Sequence, residues 1–388
     1  MLRRFFRFEA ASGVLMVIAA AVAVGVANSG WHAGFERLWL GHPGALWSSD
    51  RLGGAMAQLS AMTVRDWVND AGLALFFLLA GLEVKRQLVV GELRDRRAAL
   101  LPVLGALGGM IVPAAIYLAM RPNAPASQGW GTTVATDLAL AAGVVIALGN
   151  RVPAAVRVFI LTLAVVDDIG GVIVVAVFYG GGVGVGWMAV VAGCVGLAYG
   201  LRRVGVVRVI AFVPCGVVAW YAMRRAGIEP ALCGVLFGLL MPVTSPASDD
   251  CQDVVVGPME RVEAALNPAV SFVILPIFAL ANSGVRFTGV AFDRTTVWAV
   301  VVARVVGKVV GIAGLVWVAQ KLGWGRLGRG MTLRHVVGLG LAAGMGFTIS
   351  LFVSEKAFTD GALVASAKAG TLISAAVAGV LSFIVLRS

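Results

Sequence analysis

Twelve apolar runs, separated by short segments that carry most of the charge, dominate this sequence. A helix needs roughly 17 to 25 apolar residues to cross the hydrocarbon core of a bilayer, and most of the runs approach that length. The runs cover residues 10–26, 67–82, 98–120, 129–149, 154–179, 185–201, 209–223, 230–243, 269–281, 297–318, 335–353 and 361–386. The pattern predicts an all-α polytopic membrane protein with about twelve transmembrane helices.

The composition excludes several other classes of protein. The chain is 60% hydrophobic and only 13% charged, whereas soluble domains are about 25% charged. Its net charge of +11 comes from basic residues scattered between apolar runs, so no nucleic-acid partner is expected. The four cysteines share no metal-ligand spacing, and the three histidines lie far from them. We therefore expect no disulfide framework, no Cys/His metal site and no cofactor.

The distribution of basic residues predicts the topology. With twelve spans and a cytoplasmic N-terminus, 19 Lys and Arg residues fall on the cytoplasmic side and nine on the outer side. This bias follows the positive-inside rule and places both termini in the cytoplasm. Arg224 and Arg225 on the outer side weaken the pattern, and the alternative for the short run at 230–243 is a tilted or partly buried helix. The first run, which follows Arg3, Arg4 and Arg7, superficially resembles a signal peptide. It lacks a convincing cleavage site, so we expect it to remain as the first span.

Two connecting segments stand out. The outer segment 30–65 contains three tryptophans and predicts a small interfacial or oligomer-contacting element. The inner segment 245–263 contains Asp249, Asp250, Asp253, Glu260 and Glu263. That acidic run is either a solvated loop or a funnel that attracts cations.

Three acidic residues lie near the middle of apolar runs: Asp137, Asp167 and Asp168. An acid at mid-span costs on the order of 2.5 to 3.5 kcal/mol on insertion scales, so it is a functional hypothesis by default. The alternative is a silent, structurally paired acid. Adjacent carboxylates project about 100° apart on a helix, which makes Asp167 and Asp168 hard to neutralise by packing alone. Such a pair can line a wet cavity.

The chemistry of this pair favours a monovalent cation site. Neighbouring carboxylates resist simultaneous ionisation, so protons and a cation compete for them. Hard ions such as Na+ or Li+ prefer oxygen ligands. Asp167, Asp168, the hydroxyl of Thr136 and main-chain carbonyls freed by a helix break could supply those oxygens.

Lys308, near the centre of its apolar run, is the natural counter-ion of these acids. The alternative is that its side chain snorkels to the membrane surface. Arg304 lies one turn earlier on the same helix face. For Arg304 and for Lys368, snorkelling or simple packing is the expected behaviour.

The fourth and eleventh spans are expected to be interrupted. The fourth contains Gly131, Thr132 and Thr133 before Asp137, and the eleventh contains four glycines between positions 338 and 346. Close helix packing is an alternative explanation for these glycines. However, LALAAG at 138–143 and LGLAAG at 339–344 occupy corresponding positions in two three-helix segments, 98–179 and 297–386. Paired glycine-interrupted spans indicate a transporter with a site near the bilayer midplane.

Several long segments, taken in order, resemble the NhaA-type bacterial sodium/proton antiporter family. They include WVNDAGLALFFLLAGLEVKRQL, GWGTTVATDLALAAGVV, LTLAVVDDIGG, LNPAVSFVILPIFALANSGV and GMGFTISLFV, and the similarity covers nearly the whole chain. The resemblance implies one transporter domain over residues 1–388. Its inverted-repeat core would be 98–179 and 297–386, the fourth and eleventh helices would be broken where they cross, and the other helices would form an interface.

The resemblance also implies roles for individual residues. Asp168 corresponds to the main cation ligand, and Asp167 to its proton-carrying neighbour, paired with Lys308. Asp137 and Thr136 correspond to the groups that balance the half-helix dipoles.

At the cytoplasmic side, Glu83 in GLEVKR resembles an acid of the cation funnel, and Glu263 resembles one involved in pH response. Gln87, where the family usually has Glu, Val309, in place of a common Pro, and the additional Arg304 are departures from the family pattern.

The implied function is electrogenic, pH-dependent exchange of cytoplasmic Na+ or Li+ for external protons, with no enzymatic activity. The implied setting is the bacterial inner membrane, with lipid contacts and a homodimer. Two other classes remain open on the residues alone. An intramembrane aspartyl protease would show a GxGD pattern, which neither Asp137 nor Asp167 has. A passive cation channel would pass Na+ without counterflow of protons.

Overall fold

The computed structural model of the chain describes residues 2–43, 54–89, 91, 96–180, 184–206, 208–242, 257–287, 289 and 291–387. Within these ranges every regular element is a helix. The predicted all-α class is therefore confirmed. Asp249, Asp250 and Asp253 of the inner acidic segment, and Cys251, lie outside the described residues.

The α-helices are numbered in chain order. They are α1 (Leu2–Ala27), α2 (His32–Leu40), α3 (Gly54–Ser60), α4 (Val64–Asp66), α5 (Leu73–Val89), α6 (Arg96–Met120), α7 (Leu138–Ala147), α8 (Ala154–Phe178), α9 (Val185–Arg203), α10 (Val213–Ala226), α11 (Leu232–Leu240), α12 (Pro258–Ala269), α13 (Leu275–Asn282), α14 (Arg294–Val302), α15 (Lys308–Lys321), α16 (Leu333–Ala343), α17 (Thr348–Ala357) and α18 (Gly361–Arg387).

Three π-helical segments join pairs of these helices into longer ones. Trp67–Gly72 joins α4 to α5, Val270–Ile274 joins α12 to α13, and Ala303–Gly307 joins α14 to α15. Single π turns inside α-helices frequently occur at functional sites. The third segment lies directly before Lys308 and contains Arg304.

Eleven of the twelve predicted spans correspond to candidate membrane spans in the described chain. Nine are continuous helices, and two are helix pairs bent by 44° and 49° at a short break. The bent pairs are Ala126–Thr133 with α7, and α16 with α17, at the predicted fourth and eleventh positions. The chain is therefore a multi-pass membrane protein.

The remaining predicted span, 230–243, is the nine-residue helix α11. Nine residues rise only about 14 Å, too little to cross the roughly 30 Å hydrocarbon core. The side-chain ammonium of Lys85 donates hydrogen bonds to the main-chain oxygens of Leu239 and Met241. A cation at the last carbonyls of a helix stabilises that helix end.

The chain divides into two compact units. One consists of Met1–His32, Arg86–Tyr179 and Asn282–Ser388, and the other of Ala33–Lys85 and Gly180–Ala281. The first unit contains both three-helix segments, each built as a long helix, a broken helix and a second long helix. A single transporter domain with inverted repeats stays a prediction.

The second unit has its own ion pair. The guanidinium of Arg224 contacts the carboxylate of Asp70, which lies in the first π-helical segment. The indole of Trp220 donates to the main-chain oxygen of Asp70 at 3.1 Å and stacks on Trp67. Arg224, which weakens the positive-inside pattern, therefore has a partner within this unit.

In the first unit, glycines bring α6 and α15 into very close contact. A Cβ on Gly108 would overlap the carbonyl of Gly311, and a Cβ on Gly311 would overlap the carbonyl of Gly108. Small residues at a membrane-helix interface allow the two backbones to touch. This contact positions the first turn of α15, which begins at Lys308, against α6.

Candidate functional site

The break in the fourth span begins after a 3-10 helix, Ala126–Thr133, and ends at Asp137. Asp137 caps α7, because its Oδ1 accepts from the main-chain nitrogens of Ala139 at 3.1 Å and Leu140 at 3.3 Å. An acidic cap satisfies free N–H groups and matches the positive end of the helix dipole.

The same carboxylate also binds the other broken span. Its Oδ2 accepts from the main-chain nitrogen of Thr348 at 3.3 Å and from the Thr348 hydroxyl at 3.2 Å. In return, the main-chain nitrogen of Asp137 donates to the oxygen of Met345 at 3.3 Å. The two breaks therefore meet, and Asp137 lies at the N-terminal ends of both α7 and α17.

Lys308 forms a fully buried ion pair in the same region. Its Nζ lies 3.1 Å from both carboxylate oxygens of Asp167, and both side chains are 0% exposed. It also donates to the hydroxyl of Thr136 at 3.0 Å and to the main-chain oxygen of Val134. An ammonium buried in a bilayer needs such partners, because an unpaired buried charge is very costly.

Thr136 and Asp168 complete the surroundings of this pair. The Thr136 hydroxyl donates to the main-chain oxygen of Ala343 at 3.0 Å and accepts from Lys308. It therefore connects the two broken spans with each other and with Lys308. Asp168 follows Asp167 on α8 and is only half-buried. Asp168 is therefore the more accessible of the two neighbouring carboxylates, and Asp167 is the one that binds Lys308.

Arg304 lies at the crossing of the broken spans with no exposed surface. Its guanidinium donates to the main-chain oxygens of Thr132 at 2.5 Å, Ala135 at 3.0 Å and Gly344 at 3.1 Å, and to the Ser350 hydroxyl at 2.6 Å. The expectation that Arg304 snorkels or merely packs is wrong. The two helix breaks free main-chain oxygens, and these oxygens accept hydrogen bonds from the buried guanidinium.

The 3-10 half of the fourth span is held by a tyrosine hydroxyl. Tyr179 accepts from the main-chain nitrogen of Gly131 at 2.9 Å and donates to the oxygen of Gln128 at 2.6 Å. Burial raises the pKa of the Tyr179 hydroxyl, so the group stays protonated and keeps its donor role. Gly131 fits only because it has no side chain, since a Cβ would overlap the Tyr179 ring.

Comparison with known proteins decides the family. The profile described as Na+/H+ antiporter 1 matches residues 3–386. The chain belongs to the Na+/H+ antiporter 1 family.

Curated relatives match this family member along its whole length. The chain is 39% identical to the Na(+)/H(+) antiporter NhaA 2 of Sorangium cellulosum, with 100% of this chain and 90% of the relative covered. It is 37% identical to the Na(+)/H(+) antiporter NhaA 1 of Klebsiella pneumoniae, with 100% and 96% covered. It is 35% identical to the Na(+)/H(+) antiporter NhaA of Vibrio cholerae, with 100% and 97% covered. The predicted family is confirmed, and it is a family of transporters.

The structure brings together Asp137, Thr136, Asp167, Asp168 and Lys308 from three parts of the first unit: the break in the fourth span, α8 and the first turn of α15. Glu83 and Glu263 lie in the second unit, half-buried on α5 and α12. Their proposed roles in the funnel and in pH response stay predictions, as do the roles of the five residues at the crossing.

Lys368 is also placed differently from the expectation. Its Nζ lies 2.6 Å from Oε1 of Glu355, and the side chain is buried. It therefore neutralises an acid of α17 rather than snorkelling.

Sequence reasoning missed Thr348 and Ser350 as contacts of the crossing. Their signal is the run GFTISLF at 346–352, in which two hydroxyl residues follow the last glycine of an apolar span. Hydroxyls that follow a predicted helix break are natural donors and acceptors for the exposed helix ends. The missing information was which charged side chain reaches them from another helix.

Proposed function

We propose that this protein exchanges cytoplasmic Na+ for external protons across the bacterial inner membrane. Its relatives are named Na(+)/H(+) antiporters. The observation that supports this most directly is the buried Lys308–Asp167 pair with half-buried Asp168 beside it. Asp168 and Asp167 offer hard oxygen ligands, which suit Na+ and Li+. A proton on either carboxylate removes a ligand, so protons and Na+ compete and transport depends on pH.

Exchange is proposed to be electrogenic. Asp167 and Asp168 can hold two protons in one access state and, when ionised, surround one Na+ in the other. Two protons in for one Na+ out carry one net charge inward. The competing one-for-one scheme keeps Asp167 ionised by Lys308 throughout and lets only Asp168 titrate.

The proposed setting is supported by the sequence and by the family. Both termini are proposed to face the cytoplasm, given the 19 to nine distribution of basic residues. The protein is proposed to act as a homodimer in contact with membrane lipid, without a cofactor and without enzymatic activity, for Na+ and pH homeostasis.

Proton release from acidified everted vesicles tests the function. Na+ and Li+, added separately over a series of pH values, are expected to release protons from the vesicle interior, and K+ is not. Vesicles that contain Asp168→Asn are the matched control. Na+ flux that needs no proton counterflow would indicate a passive channel, and no cation-dependent proton movement in folded protein would overturn the proposal.

A further inference from the structure

Arg304 contributes a fixed positive charge to the crossing of the broken spans. Its guanidinium binds the first half of the fourth span through Thr132, the break of that span through Ala135, and both halves of the eleventh span through Gly344 and Ser350. Thr132 and Gly344 lie at the C-terminal ends of their half-helices. Those ends carry negative partial charge, which favours a cation there.

The fold makes room for this guanidinium. A Cβ on Gly346 would overlap both the Arg304 guanidinium and the carbonyl oxygen of Ala135. The side chain is 0% exposed, and a guanidinium is not deprotonated in proteins. The charge is therefore permanent and belongs to the crossing.

Arg304 mirrors Asp137. Asp137 lies at the N-terminal ends of α7 and α17, where negative charge is favoured. Arg304 lies at the C-terminal ends of the other two half-helices, Ala126–Thr133 and α16, at the same crossing. Arg304 binds the carbonyl of Ala135, two residues before Asp137, and Lys308 binds Val134 and Thr136 of the same break, so these charged groups form one electrostatic unit.

The charges of this unit can be counted. When ionised, Asp137, Asp167 and Asp168 are three negative charges, and Lys308 and Arg304 are two positive charges. The net charge of the empty site is then −1. The nearby buried Lys368 is paired with Glu355, so that pair leaves the count unchanged.

We infer that Arg304 makes the Na+-loaded site electrically neutral, so that the membrane potential does not act on the Na+-carrying step. This rests on the proposed Na+ transport, and it holds for either proton stoichiometry. Without Arg304 the loaded site would carry −1, and the Na+-carrying step would move charge through the field. A divalent cation in the site would leave a buried charge of +1, which disfavours its binding.

In a two-proton cycle, the proton-loaded site carries +1. The voltage-dependent half of the cycle is then the return with protons. Arg304 therefore determines which half of the cycle the membrane potential drives.

Exchange of 22Na+ for Na+ in proteoliposomes isolates the Na+-carrying step. The Na+ concentration is saturating and the pH is alkaline, and both are the same inside and outside the proteoliposomes. The exchange rate is measured with and without a potassium-diffusion potential. The rate for the unmodified protein is expected to be the same with and without the potential. A several-fold change in that rate would overturn the inference.

Single substitutions should introduce voltage dependence. In Arg304→Gln the Na+-loaded site carries −1, and in Asp137→Asn, which keeps a capping side chain, it carries +1. The potential should therefore change the rate of 22Na+ exchange several-fold in each. Arg304→Lys keeps the charge and is the matched control, with a rate that the potential leaves unchanged.

The double variant Arg304→Gln/Asp137→Asn restores the charge count and should lose the voltage dependence. Voltage-independent exchange in Asp137→Asn, or voltage-dependent exchange in the double variant, would contradict the inference. If Arg304→Gln does not fold, Asp137→Asn and the unmodified protein still decide. Failure of the proposed function gives a different result, because then the unmodified protein shows no Na+-dependent proton movement.

Discussion

The ammonium of Lys308 lies 3.1 Å from both carboxylate oxygens of Asp167, and neither side chain has any exposed surface. A pair this deeply buried is held by its mutual attraction and by the hydrogen bonds to Thr136 and Val134. Replacing one partner leaves the other charge uncompensated in a medium of low dielectric constant. The pair is therefore a sensitive point for both stability and transport.

Lys308→Ala is expected to destabilise the protein by about 3 to 5 kcal/mol, because Asp167 is left buried without its partner. Thermal unfolding in detergent measures this as a lowered Tm. The double variant Lys308→Ala/Asp167→Asn should recover part of the loss. Lys321→Ala, at the end of α15 beside Trp317, is the control with little effect. An unchanged Tm in Lys308→Ala would contradict the importance of the pair.

Asp168→Asn should abolish Na+-dependent proton movement while the protein stays folded, because it removes a charged ligand and keeps the side-chain volume. The everted-vesicle assay and the Tm are measured together. Asp360→Asn is a matched control, since Asp360 is exposed and caps α18, a role that Asn also performs. Near-normal exchange in Asp168→Asn would rule out the proposed site.

Exchange should respond to voltage if two protons enter for each Na+. With Na+ equal on both sides of reconstituted vesicles and no pH gradient, a potassium-diffusion potential should drive net Na+ transport. Each charge moved gains about 2.3 kcal/mol per 100 mV. If the potential drives no net Na+ transport, the result would favour one-for-one exchange, in which Asp168 alone takes a proton.

Gly346→Ala should strongly destabilise the crossing, because the new methyl group would overlap the Arg304 guanidinium and the Ala135 carbonyl. Overpacking of this kind typically costs about 1 to 3 kcal/mol. Gly314→Ala on α15 is the matched control, since nothing lies within 4 Å of its Cβ position. That control should stabilise its helix by up to about 1 kcal/mol. Equal Tm values for the two variants would show that Arg304 can move aside.

The sequence was sufficient to predict the interrupted spans, because Gly131, Thr132 and Thr133 precede Asp137 and glycines accumulate at the second break. It was also sufficient to propose Lys308 as the counter-ion of the acids, because an ammonium at mid-span needs a partner. The burial of Arg304 could not be predicted in this way. The apolar run around Arg304 shows only that this cation lies far from either end of its span. The main-chain oxygens that bind it belong to Thr132, Ala135 and Gly344 in other spans.

Helix length was a further limit. The apolar run at 230–243 predicts a span, yet α11 has only nine residues. The helix ends before Pro242, which has no N–H to continue it and which favours an extended conformation at Met241. Lys85 binds the main-chain oxygens at that end. Hydropathy records how apolar a run is, and it gives no weight to a proline inside the run that ends the helix.

The contact between Gly108 and Gly311 has a mechanical consequence. Because each backbone fills the space where the other's side chain would be, α6 and α15 cannot slide past each other without a collision. We therefore expect a rearrangement during a transport cycle to carry α6 and α15 together. Lys308, in the first turn of α15, would then keep its height relative to α6.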